Sequence, residues 1–286
     1  KLTDNLLTLG VDPARTPTAN NPIRFRVQFS APGYITQTVP VALTGASAGI
    51  QTVVLIKPTE VPDDGSVEEV VETVDLNPDG STSAPATVEL PAATGSGNMQ
   101  LTVPAGTQFK DANGTVITGT NVQIVVTSID ADNEDAVVLL PGGSLLADQV
   151  VLDGGATASG TFSPAAVADI KMLVNGTQVR QFSQPLVVSM PVPASYVSPI
   201  TGQPLAAGMV FQIFSNSGDG VWRFEQNSTV TGSAATGFRV PFEITHLTFY
   251  MAAEFGQACP AARVINFSGD WMTTGTTTPI IVEAVW

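Results

Sequence analysis

From Gln184 to Tyr250 the chain alternates apolar and polar residues in three successive runs, each closed by a turn. The runs read QPLVVSMPVP, GMVFQIFSNSGDGVWRF and GFRVPFEITHLTFY. A period of two puts every other side chain on one face, which is the geometry of a half-buried strand and not of a helix. Gly and Pro between the runs supply the backbone reversals that antiparallel neighbours need.

The same pattern extends in both directions. Residues 23–29 (IRFRVQF) alternate, Ser30-Ala-Pro-Gly-Tyr34 reads as a turn, and Ile35–Leu43 and Gln51–Ile56 follow as strands. Further strands are expected at Ala86–Leu90, Met99–Val103, Asn121–Ser128, Ala168–Leu173, Leu186–Met190, Val210–Ser215, Val221–Gln226, Phe238–Ile244 and Leu247–Ala252. Asn113-Gly114, Asn175-Gly176 and Pro141-Gly-Gly143 are turn signals between them. The expected fold is all-β, built from antiparallel β-sandwich modules in tandem. A small module occupies residues 1–57, an acidic Pro/Gly linker or extended arm 58–85, the main sandwich 86–255, and a connector with strands of a further module 256–286. Within the linker, Val67, Val70, Val71 and Val74 have helical spacing, and Ser66 with Glu69 has that of a capping box. Four β-branched valines make a poor short helix, so a strand or extended arm is the preferred reading.

Charge and rare residues exclude several kinds of chemistry. The net charge of −14 repels nucleic-acid backbones and anionic membrane surfaces. It is unevenly spread: residues 58–170 hold seventeen Asp/Glu against Lys110 alone, whereas residues 1–57 hold five Lys/Arg and two Asp. A single cysteine, Cys259, rules out an internal disulfide. Together with a single histidine, His246, it also rules out zinc sites built from four cysteines or from two cysteines and two histidines, and di-histidine metal sites. A large core without staples suits a bacterial surface protein better than a eukaryotic secreted one. No apolar run approaches the ~20 residues of a membrane-spanning helix. Lys1-Leu2-Thr3-Asp4 lacks the apolar stretch of a signal peptide, and the closing PIIVEAVW resembles a strand in mid-module. Either a signal has been removed or the chain is part of a longer polypeptide, and the closing run favours the second expectation.

Two resemblances sharpen this reading. FRVQFSAPGYITQTVPVAL at 25–43, closing with TVVLIKP at 52–58, resembles the last strands of a carboxypeptidase-regulatory-like module, a small prealbumin-type sandwich common in bacterial surface proteins. LTVPAGTQFKDANG, TGTNVQIVVTSID, ADIKMLVNGTQVRQFSQPLVVSMPVP, GDGVWRFEQNSTV and PFEITHLTFYMA follow one another between Ala86 and Glu254. That order resembles the extracellular β-domain of cartilage intermediate layer proteins and astroprincin-type receptors. The resemblance implies a sandwich in a matrix or surface component, and it brings no catalytic set to transfer. The cysteines of the matrix proteins are missing, which favours a bacterial version.

Few residues carry chemistry. Asp130, Asp132 and Asp135 alternate at a strand exit, and hard carboxylate oxygens there suit Ca2+, although the EF-hand glycine and its terminal glutamate are lacking. Trp222, after Gly218-Asp-Gly220, could stack on a sugar, while its place in an alternating run favours the core. Gly45-Ala-Ser47-Ala-Gly49 fits G-x-S-x-G, but a strand follows it where a nucleophile elbow needs a helix. His246 is read as a corner histidine. Asn113, Asn175, Asn227 and Asn266 sit in N-x-S/T patterns, three of them where a turn wants Asn anyway.

The expected function is a non-catalytic extracellular structural or adhesion module of a bacterial cell-surface or secreted protein. Its expected partners are other subunits or copies of itself at the cell surface, in a filament or larger complex, or a glycan, with Ca2+ as the one cofactor considered. The alternative is a glycan- or peptide-binding accessory domain of a surface enzyme or transporter complex.

Overall fold

The computed structural model describes residues 65–257 without a break, together with residues 2–3, 6–7, 15–18, 21–29 and 37–45. The fold is all-β, as the alternation requires. In chain order, β1 (Leu2–Thr3) pairs with β2 (Leu6–Leu7), and β3 (Ile23–Phe29) pairs antiparallel with β4 (Gln37–Leu43). Then come β5 (Val67–Asp75), β6 (Ala86–Pro91), β7 (Asn98–Val103), β8 (Phe109–Lys110) and β9 (Asn121–Ile129). The one-turn helix α1 (Glu134–Val137) separates β9 from β10 (Leu146–Val151), and the 18-residue β11 (Thr157–Val174) follows. The chain continues through β12 (Thr177–Gln178), β13 (Gln181–Val192), β14 (Val210–Asn216), β15 (Trp222–Thr229), β16 (Thr231–Ser233), β17 (Gly237–His246) and β18 (Phe249–Gln257).

Two sheets face each other. One has the order β10-β15-β14-β18-β11-β9-β5, with β12 on β11; the other has the order β16-β17-β13-β7-β6, with β8 on β13. Between them lies an aliphatic core that includes Leu101, Val103, Ile124, Val126, Met172, Leu186, Val188 and Val240. These residues alternate with exposed neighbours along their strands, as in the burial of β6 and β17.

A second core lies on the other face of the larger sheet. Strand β10 pairs antiparallel with the start of β11 (Val151 with Thr157) and parallel with β15 (Val150 with Trp222). Since β11–β18, β18–β14 and β14–β15 also pair, these five strands close into a ring. Phe162 is its hub, with ring centroids 4.9 Å from Phe214, 5.5 Å from Trp222 and 5.0 Å from Phe255. Ala136, Leu139 and Leu140, in and just after α1, cap it. In β14, ordinary alternation sends Ile213 to the first core and Phe214 to the second, and opposite them Glu225 of β15 is the extra residue of a bulge.

Two points differ from the sequence reading. The stretch 58–85 is not all linker: Val67–Asp75 pairs residue for residue with β9 and forms the end strand of the larger sheet, so the sandwich begins upstream of residue 86. Its valines do form a strand and not a helix, because β9 offers them an apolar face to pack on; Val70 and Val74 reach the first core. Strand β10 and the first half of β11 were not expected. Thr157-Ala-Ser-Gly-Thr-Phe-Ser-Pro offers only Phe162 as a large apolar residue, and its small residues are what the ring needs. A Cβ on Gly160 would collide with the Gly256 carbonyl oxygen, so β11 and β18 can approach only with glycine there. Pro164, unable to donate to a ladder, sits at the β11 bulge.

Candidate functional site

Two polar constellations sit on this framework. The first is a cleft of about 190 Å3 where the end of β9, the β11 bulge and the loop after β13 meet; Asp130, Asp132, Ser163, Pro164 and Tyr196 are on its wall. One oxygen of Asp130 (Oδ1) accepts the backbone N–H of Asp132 at 3.0 Å, which folds the turn that carries both acids. Asp132 is exposed as a residue, but partial desolvation of its carboxyl, with the charge of Asp130 beside it, raises its pKa above the usual aspartate value. Tyr196 is held from two sides. Its ring packs edge-on to Phe211 of the first core at 5.1 Å, and its hydroxyl donates to Glu254 Oε2 at 2.9 Å. Ser198 Oγ donates to the other oxygen of Glu254, also at 2.9 Å. Burial pushes the Tyr196 hydroxyl well above its ordinary pKa, reinforced by the carboxylate of Glu254. The phenol stays protonated and acts as a fixed donor, not as a base.

The second constellation lies at the corner where β17 passes into β18. Tyr250 donates its hydroxyl to the backbone carbonyl of His246 at 2.6 Å and lies 3.3 Å from His246 Nδ1. His246 Nε2 is 3.2 Å from Glu225 Oε1, and Ser215 Oγ donates to the same oxygen. Burial alone would raise the Glu225 pKa; the hydrogen bonds from His246 and Ser215, with nearby positive charge, outweigh it and hold the carboxyl below the usual glutamate value. A serine, a histidine and an acid meet here, but in the wrong order for nucleophilic catalysis. The hydroxyl proton goes to the carboxylate, and no imidazole nitrogen is placed to accept it. The arrangement resembles a tyrosine corner, pinning the crossing between sheets.

The residues expected from sequence fare differently. Asp130 and Asp132 share one turn, as expected of neighbours at a strand exit; Asp135 lies in α1, and its side chain is outside the described residues. Among the described residues no cluster of three or more His, Cys, Asp or Glu groups forms a metal centre. Trp222 is 2 % exposed and packs edge-on to Phe162, so neither ring face is open to a sugar. Burial in the second core overturns its reading as a ligand-stacking residue. His246 is a corner histidine, tied to the side chain of Glu225 more than to backbone. Asn113, Asn175 and Asn227 lie on the exposed surface, Asn175 in a left-handed turn with φ 50°. Ser47, Cys259 and Asn266 lie outside the described residues. Sequence reasoning missed Glu225, Glu254 and Ser163, and no local pattern marks them: their partners are 21, 58 and 33 residues away.

Family models, curated proteins and solved structures offer no match to this chain.

Proposed function

We propose that this chain is a non-catalytic structural module of a bacterial cell-surface or secreted protein, one that joins other subunits or copies of itself. The observation that carries this reading is the double core. The middle of one sheet, where β11 and β18 pair, is buried on both faces, and a strand ring closes around the second core. Such a body resists local opening, which a spacer or adhesive element needs. The resemblance of residues 86–254 to extracellular matrix-type domains supports the same reading. Pulling the full chain by its ends in a single-molecule instrument tests it. One cooperative rupture is expected, with no turnover on ester, peptide or glycoside substrates. Turnover that Glu225→Gln or Asp132→Asn abolishes, or gradual extension at low force, would overturn it.

The polar cleft beside Tyr196 favours a second reading, an accessory domain that binds a glycan or peptide. A glycan and peptide array probed with the intact chain and with Tyr196→Ala checks it; binding that the substitution removes would establish it.

A further inference from the structure

The nine residues of β5 pair with β9 on one side, and on the other side no strand pairs with them among the described residues. An edge of that length presents a row of backbone N–H and C=O groups to any incoming strand. Its side chains are unusual for such an edge. Val71 is 49 % exposed, and Glu68, Glu69, Glu72 and Asp75 surround it. Four carboxylates in nine residues oppose pairing of β5 with β5 of another copy, because like charges would crowd one seam, diagonally or directly opposite according to register. They suit a basic strand with an apolar residue at its centre.

The chain carries such a strand. Strand β3 reads IRFRVQF; it pairs with β4 on one side, and no described strand pairs with its other side. Arg24 is exposed, and Arg24, Phe25 and Arg26 stand with Val41 and Ala42 of β4 on the wall of a groove of about 680 Å3. The groove's far wall is β10 and the start of β11, to which Arg26 is tied through Gln149 at 3.1 Å. The basic residues 1–57 and the acidic residues 58–170 thus each bring a strand edge that no described strand covers, and the two are opposite in charge.

Resting on the reading of a self-associating structural module, we propose that the free edge of β5 pairs antiparallel with the free edge of β3 in a second copy of this chain, Phe25 opposite Val71 and Arg24 opposite Glu72. In that register Arg26 falls opposite Val70, on the face that also carries Glu68 and Glu72, within diagonal reach of both. A slip by one residue in one direction would set Phe25 against Glu72 and Arg26 against Val71; in the other it would set Arg24 against Val71 and turn Phe25 toward the half-buried Val70. The contact is head-to-tail, because each copy offers one edge of each kind. Repeated, it gives an open filament unless its rotation closes a ring.

Sedimentation velocity of the full chain tests this. The intact protein is expected to associate with rising concentration at low salt, and less so in molar salt, where charges are screened. The pair Arg24→Glu with Arg26→Glu and the pair Glu68→Arg with Glu72→Arg should each weaken association by at least about tenfold. Mixing the two variants in equal amounts should restore it, since their edges are again opposite in charge; this recovery also shows that both variants fold. In a Cys259→Ser background, Phe25→Cys on one copy and Val71→Cys on another should cross-link. Association that neither charge pair alters would overturn this edge pairing and leave assembly by another surface. A chain monomeric at every concentration would overturn it too, while the pulling and turnover measurements would still decide the structural reading.

Discussion

Strand β18 serves two different interiors at once. Tyr250 and Ala252 enter the core between the sheets, while Phe249, Met251 and Ala253 enter the ring core behind. The first core is built mostly of Val, Ile, Leu and Met on strands that alternate cleanly. The second is built around Phe162, Phe214, Trp222 and Phe255, whose rings meet edge to face or tilted. Aliphatic side chains fill a flat layer between two sheets, where each strand contributes a row. A closed ring has a narrow interior, and a few large rings fill it with fewer backbone positions. Where one face is wet, as along β6 and β17, the period-two rule shows as alternation; where both faces are dry, as over Phe249–Ala253 of β18, it gives way to a continuous apolar run.

The largest test of this contrast is removal of the hub. Phe162→Ala takes away three aromatic contacts in the ring core and is expected to cost about 4 kcal/mol, against about 3 kcal/mol for Leu101→Ala in the aliphatic layer. Midpoints of urea unfolding at a shared m-value measure both. If Phe162→Ala proved much the milder, the ring would be a satellite cluster and not a second core.

Gly160→Ala probes the closure of the ring with less force. Its methyl would collide with the Gly256 carbonyl oxygen, so the strands must part, at about 2 kcal/mol. Lost protection of β10 amides in hydrogen exchange, with β6 and β7 unchanged, would locate the damage in the ring. Tyr250→Phe attacks the hinge between the two regions. It leaves the His246 carbonyl without the hydroxyl that bonds it, and about 1 kcal/mol is expected.

Acid titration separates two carboxyls by sign. The pKa of Glu225 is lowered in the fold, so its contribution is fully present above the unfolded glutamate value and is lost as pH falls through the folded one. Asp132 is the reverse: its raised pKa means that stability is greatest below the unfolded aspartate value and declines as pH rises through the folded one. Glu225→Gln should therefore flatten the acid limb of a melting-temperature profile, and Asp132→Asn should raise melting at neutral pH. The opposite signs would refute the hydrogen-bond and desolvation accounts given for each.

Calcium is expected to have the smallest effect. Asp130 already gives one oxygen to its own turn, so millimolar calcium should shift melting by about 1 °C. A shift of several degrees that Asp132→Asn removes would instead establish a calcium site there.

The amino-acid order alone settled the strand content and most strand positions in the aliphatic layer. Met99–Val103, Asn121–Ser128, Leu186–Met190 and Phe238–Ile244 each lie within an observed strand, because one buried face and one wet face leave a readable alternation. It also settled the turn at Asn113-Gly114, where the glycine takes φ 80°. Only the tertiary structure decided that Val67–Asp75 joins the sheet, that Thr157–Val167 is strand, and which residues enclose Trp222. Each depends on a partner far along the chain: β9 for the first, β18 and Gly256 for the second, Phe162 for the third. The polar constellations belong to the same class, since Glu225 and Glu254 acquire their roles only from side chains that folding brings to them. Local order encodes which face of a strand is wet; which strand lies beside it is fixed by long-range packing, and no short window of sequence contains that.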